Sequence, residues 1–116
     1  MESIKDFKVC PVQYVTSIND TMNVISGKWK LPIIGSLYFG KKRFTEIQRN
    51  ISKITPRMLS KELKELELNG MIVRKVYDSF PVTIEYELSE SGILITDVLD
   101  KMIEWGIEHR KAVVSK

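Results

Sequence analysis

A chain of 116 residues, 43% of them apolar and 28% charged, has room for one hydrophobic core, which excludes both a multidomain architecture and a disordered one. No run approaches the ~18 apolar residues of a membrane span and no long apolar stretch follows the first residues, so a cytoplasmic protein with no membrane partner is expected, and the single cysteine, Cys10, excludes an internal disulfide. Net charge is only +3, but residues 27–75 hold twelve Lys or Arg against four Asp or Glu, a net +8, while residues 76–116 carry −4, a sorting that suits one surface facing nucleic acid and another facing solvent or a partner.

Residues 1–13 read as an arm, with Pro11 interrupting regular structure. From Tyr14 a helical pattern runs through Val15, Ile18, Met22 and Ile25 and ends near Ser26-Gly27. A second helix takes Trp29, Ile33, Ile34, Leu37 and Tyr38 to a stop at Phe39-Gly40. Pro32 requires that this helix either begin close to it or bend there. Phe44, Ile47 and Ile51 then repeat at helical spacing between Lys41-Lys42-Arg43 and Ser52-Lys53, placing cations at both ends of a short third helix, where phosphates would lie.

The fourth helix is the most clearly marked. Thr55 can cap it, Pro56 occupies the first helical position, and Asn69-Gly70 ends it. Leu59, Leu63 and Leu66, with Met58 beside them, form the stripe that faces a core, while Arg57, Ser60, Lys61 and Lys64 fall together on another. Lys61-Glu62, Lys64-Glu65 and Glu67 also fit a face that merely keeps the helix soluble; the cations that flank the preceding helix favour the groove-reading alternative.

Met71 to Val76 reads as a strand, and Val82 to Leu88 alternates apolar with polar as a half-buried strand does, with Tyr77-Asp78-Ser79-Phe80-Pro81 between them. This hairpin is a wing whose Arg74 and Lys75 are placed for backbone phosphates and whose tip, with Asp78 and no cation, grips poorly. The last helix starts at the cap Ser89 and carries Ile95, Val98, Met102, Trp105 and His109 at steps of three and four, widened by Leu94, Leu99 and Ile103. That is more apolar surface than a small core needs, so a second copy of the chain is expected on it, with Tyr14 and Ile18 of the first helix in the same seam.

The expected fold is therefore mainly α with a small β-hairpin, a winged helix-turn-helix dimerised through its terminal helices: an arm at 1–13, a DNA-binding unit at 14–88 and a dimerisation helix at 89–116, all in one compact domain. DNA contact is assigned to Lys42, Arg43, Lys53, Thr55, Arg57, Ser60, Lys61, Lys64, Arg74 and Lys75. One histidine and one cysteine do not make a metal site, the Gly35 and Gly40 pair lacks the lysine and hydroxyl of a nucleotide loop, and Asp97, Asp100, Glu104 and Glu108 suit the solvated face of a helix. Neither an enzyme, nor a metal, nor a cofactor is expected.

In order and at the right spacing, Cys10-Pro11-Val12, Gly27-Lys28-Trp29, Arg43-Phe44, Glu46-Ile47, Ile54-Thr55, Met58-Leu59, Leu63, Leu66-Glu67, Gly70-Met71-Ile72, Arg74, Tyr77, Pro81, Glu85-Tyr86, Leu88-Ser89, Gly92 and Trp105 resemble the HxlR-type winged-helix transcriptional regulators of bacteria and archaea. The resemblance implies a homodimer held by its terminal helices, two recognition helices in adjacent major grooves of an inverted-repeat operator in double-stranded DNA, and wings on the flanking backbone. It also implies control of transcription, in several relatives through oxidation or alkylation of the N-terminal cysteine. Val82 departs from the second proline usual at the wing, and Pro32 stands where many relatives carry a helix former.

Cys10 has two readings. Near Lys8 on an arm it is a thiol open to oxidants or electrophiles, and as one of the most commonly buried residue types it is a small apolar group packed beneath that arm. Two alternatives to the DNA reader share its fold: a winged-helix module that binds protein, which has no need of Arg57, Lys61 and Lys64 on one stripe, and a ligand-sensing regulator with a pocket between the dimer helices, lined by Trp29 and Trp105. Nothing in the residues singles out a small-molecule effector.

Overall fold

The computed structural model describes residues 10–114 as α1 (Pro11–Ile25), α2 (Lys30–Tyr38), α3 (Phe44–Asn50), α4 (Pro56–Leu68), the antiparallel strands β1 (Ile72–Tyr77) and β2 (Thr83–Leu88), and α5 (Glu90–Val114). This is the expected mainly helical order with one hairpin. Residues 1–9 of the expected arm, Lys8 among them, lie outside the described residues.

α1 starts at Pro11, before the expected Tyr14. A proline at the first helical position gives up an N–H that has no partner there in any case, so Pro11 opens the helix where an interruption was expected. Cys10 is the N-cap, extended at φ −71° and ψ 157°, and its N–H donates to Gln13 Oε1 at 3.3 Å. Pro32 resolves in the same way. α2 begins at Lys30, and Ile33 is the first residue whose N–H bonds back, to the Trp29 carbonyl at 3.1 Å. Pro32 thus falls within the first turn, where no backbone donor is required, and no bend is needed.

α3 and α4 form the helix-turn-helix. The turn between them buries Ile51 and Ile54 and sets Lys53 in the left-handed region at φ +71°. Thr55 Oγ1 accepts the Met58 N–H at 3.2 Å, as its sequence position predicts. At the far end the Gly70 N–H donates to the Glu67 carbonyl (3.0 Å) and the Met71 N–H to the Leu66 carbonyl (2.9 Å), with Gly70 at φ +74°. That pair of bonds closes the last turn of α4 and reverses the chain into β1.

The hairpin runs in register from Ile72 opposite Leu88 to Tyr77 opposite Thr83. Lys42 adds a one-residue third rung, its N–H donating to the Tyr86 carbonyl at 2.9 Å and its carbonyl accepting the Tyr86 N–H at 2.8 Å, so the entry to α3 is tied to the wing. The expected apolar-polar alternation of exposure is absent from β2, where every residue is half-buried. Lys41 and Lys75 lie on Glu85 (3.7 Å) and Glu87 (2.6 Å) and cover the face that alternation would have left to solvent.

The core is built by α2, α3, α4 and the start of β1, with Ile33, Ile34, Ile47, Leu59, Leu63 and Leu66 fully enclosed. Each such side chain contributes on the order of 1.5–3 kcal/mol through burial. α1 adds only Ile25 to the buried set, and α5 adds only Gly92 and Thr96. The terminal helices therefore reach outward from the core, and the described residues span 55 × 37 × 23 Å.

Candidate DNA interface

On α4 the three core leucines lie on one face, and Arg57, Ser60, Lys61 and Lys64 are all exposed on the opposite one. Taken alone, however, α4 is not basic: residues 56–68 hold three cations, Arg57, Lys61 and Lys64, and three carboxylates, Glu62, Glu65 and Glu67. Two of those carboxylates are engaged from outside the helix. Lys30, at the start of α2 and only 8% exposed, places its Nζ 2.7 Å from Glu62 Oε2 and 2.6 Å from Glu65 Oε2. Burial alone would lower the ammonium's pKa, but hydrogen bonds to the two glutamates, together with their charge, outweigh it and hold Lys30 above the ordinary lysine value. The Lys30 hydrogen bond and charge, with a smaller contribution from Lys61, hold Glu65 below its ordinary value. Glu62 and Glu65, which could equally have paired with lysines along a solvated face of α4, are instead held in a clamp between helices.

Arg74 and Lys75 separate. Adjacent strand residues point to opposite faces, and Arg74 lines one shallow groove of about 320 Å³ with Ser60, Lys64, Glu67 and Tyr86. Lys75 turns to the other face, where its hydrogen bond with Glu87 raises its pKa. Only Arg74 of the pair extends the surface of α4. Lys42, half-buried, lines a different cleft with Ser36, Phe39 and Asn50. Arg43 caps α3, donating its N–H to Glu46 Oε1 at 3.0 Å and leaving its side chain exposed; Lys53 and Thr55 are exposed in and beside the turn. The wing tip holds no cation, and Phe80 there is fully exposed.

The expected seam residues divide as well. Tyr14 and Ile18 on α1, and Val98, Met102 and Trp105 on α5, are all large apolar side chains left exposed, and Trp105 stacks on His109 with ring centroids 4.7 Å apart. Ile95 instead packs against the core of its own chain. Trp29 does likewise, whereas Trp105 is exposed. Val24 and Ile25 of α1, with Met71 and with Leu94 and Val98 of α5, line an apolar groove of about 530 Å³. Cys10 is exposed. Sequence reasoning did not single out Lys30, whose partners lie 32 and 35 residues away.

A short helix, a turn, a basic-faced helix and a hairpin, joined to a long terminal helix, match the HxlR-like helix-turn-helix model over residues 24–113. The chain belongs to this family. Among HxlR-like relatives, an uncharacterized HTH-type transcriptional regulator of Methanothermobacter thermautotrophicus is 46% identical over 94 residues, covering 81% of this chain and 72% of the relative. The crystal structure of the HTH-type regulator YtcD, a Bacillus subtilis protein, superposes with a TM-score of 0.78 at 44% identity, over 81% of this chain and 96% of that one. The redox regulator HypR in its reduced form superposes with a TM-score of 0.80 at 39% identity, over 86% and 99%. The HxlR-like match begins at Val24, beyond Cys10 and most of α1.

Proposed function

We propose that this HxlR-like chain is a sequence-specific DNA-binding transcriptional regulator that acts as a homodimer on an inverted repeat, with α4 in the major groove. One observation carries the reading: the exposed stripe of Arg57, Ser60, Lys61 and Lys64 opposite the core leucines, continued by Arg74. A protein-binding winged helix has no use for such a stripe. Selection of bound fragments from the source genome at low salt tests the reading, followed by affinity against salt. Each neutralised phosphate contributes about −0.9 to the slope of log affinity against log salt. Failure of the purified protein to bind any duplex in that pool would overturn it.

The dimer is supported by the bare apolar faces of α1 and α5, whose groove a second copy would cover. In such a dimer the two α4 helices sit ~34 Å apart, one turn of DNA. Sedimentation at micromolar concentration should give a dimer, and Met102→Asp should give a monomer; a monomeric wild type would sink the seam. Control through Cys10 is supported by its exposure at the start of α1 and by the likeness to HypR. With one cysteine per chain, a disulfide must join two chains or capture a small thiol. DNA binding by wild type and Cys10→Ser should diverge in diamide or a quinone, and equal responses would remove Cys10 from the mechanism.

A further inference from the structure

We propose that Lys30 is a positioning residue for DNA binding: by engaging Glu62 and Glu65 it keeps Lys61 of α4 free for a phosphate, without touching DNA itself. The inference rests on the reading of α4 as the DNA reader.

Charge makes the requirement concrete. α4 carries three cations and three carboxylates, so it presents a positive field only if some of those carboxylates are neutralised by a group that is not itself needed at the groove. Glu65 stands four residues after Lys61, the spacing at which two helix side chains meet on the surface, and the Lys61 charge already acts on the Glu65 carboxylate. Left to itself, Glu65 would draw Lys61 sideways along α4. Lys30 prevents this by holding Glu65 Oε2 at 2.6 Å, and Glu62 Oε2 at 2.7 Å, from the side of α2. Among the described residues no other cation lies within salt-bridge distance of either glutamate. The ammonium comes from the first residue of α2 and is almost enclosed, so it makes the clamp without entering the DNA-facing surface.

The test compares Lys30→Met with wild type on the same duplex. If Lys61 is drawn onto Glu65, one phosphate contact is lost, the salt slope falls by about 0.9, and affinity near 0.1 M salt drops roughly tenfold. Adding Lys61→Ala to Lys30→Met should then change little, because the contact is already gone. The triple variant K30M/E62Q/E65Q should regain both slope and affinity, which a residue that merely held the fold together would not allow. Lys30→Met binding with the wild-type slope, or a folded triple variant that fails to recover, would overturn the proposal. A second variant needs no change at Lys30: Glu65→Gln keeps the Lys30–Glu62 pair and should leave the slope unchanged, whereas a rise of about 0.9 would show Glu65 competing for Lys61 despite Lys30, and would also overturn it. Wild-type protein that binds no DNA fails the functional reading; wild-type binding with an unaffected Lys30→Met fails this inference alone.

Discussion

Replacing Gly92 with alanine should be far more damaging than a single methyl group implies. Gly92 lies in the first turn of α5, and a Cβ built there overlaps the Met71 carbonyl oxygen, with two Leu88 side-chain atoms at 3.2 and 3.3 Å. The oxygen belongs to the backbone, so it gives way only if α5 withdraws. That carbonyl accepts the Ser89 N–H at 3.0 Å, while Ser89 Oγ donates to the Gly70 carbonyl at 2.6 Å and accepts the Gly92 N–H at 3.0 Å, so withdrawal breaks the joint at which α4, β1 and α5 meet. The middle of the overpacking range is ~2 kcal/mol, and one or two of these three hydrogen bonds lost would cost about 1 kcal/mol each, against a gain of roughly 0.5–1 kcal/mol from replacing a helical glycine. The net is a loss of about 2–3 kcal/mol. With an unfolding entropy of ~2.1 cal/mol/K per residue over 116 residues, that lowers the melting temperature by about 8–12 °C. Thermal melts followed by circular dichroism, at one protein concentration, measure it. Gly35→Ala is the control: Gly35 lies inside α2 with nothing within 4 Å of its Cβ, so it should raise the melting temperature by about 2–4 °C. A Gly92→Ala protein that melts within a degree or two of wild type would show that α5 and the Met71 carbonyl accommodate the added methyl group.

Thr55→Ala removes the cap on the Met58 N–H and should cost about 1 kcal/mol in urea unfolding. Lys53→Gly relieves a left-handed residue, worth ~1–2 kcal/mol of strain, less the entropy glycine loses on folding, so the net gain should be several tenths of a kcal/mol; if Lys53 meets a phosphate, the same variant lowers the salt slope by about 0.9. The Lys30 clamp has a pH window. Glu65 is held below its ordinary value, so its contribution is present above the ordinary carboxylate range and is lost as pH falls through the depressed value. Lys30 is held above its ordinary value, so its contribution is present below the ordinary lysine range and is lost as pH rises through the raised value. Unfolding free energy should therefore decline less steeply at both pH extremes in Lys30→Met than in wild type, and parallel curves would contradict the clamp.

What the sequence disclosed depended on the range of each interaction. The two ends of α4 are written locally, in Thr55-Pro56 and Asn69-Gly70, and the structure bonds them as expected. The basic stripe follows from helical period alone. Pro11 misled because the same residue breaks a helix from inside and opens one from the first position, and nothing local says which. Strand geometry forces Arg74 and Lys75 apart, and Arg74 shares the face of the buried Ile72 while Lys75 turns to Glu87 on the other. Lys30 was invisible because its partners lie on another helix, and a lysine near a glycine and a tryptophan looks like surface. Ile95 fits one apolar face with Val98 and Met102, and only the position of the core shows that Ile95 packs inward while the other two stay exposed.

The form of α5 bears on how such a regulator would respond to its own abundance. Its buried residues end at Thr96, and from Asp97 to Val114 no side chain is enclosed by the rest of the chain. A free helix of that length is only marginally stable in water, so in a single chain the distal turns should fray, and in the proposed dimer they should regain order on meeting a second copy. Folding of the distal helix and pairing then become one event, and far-ultraviolet helicity should increase on concentrating the protein through the pairing range. Well below that range the amount of paired protein grows as the square of the total, so operator occupancy would rise more steeply than gene dose. A modest change in expression would then act as a threshold, with no signal molecule involved.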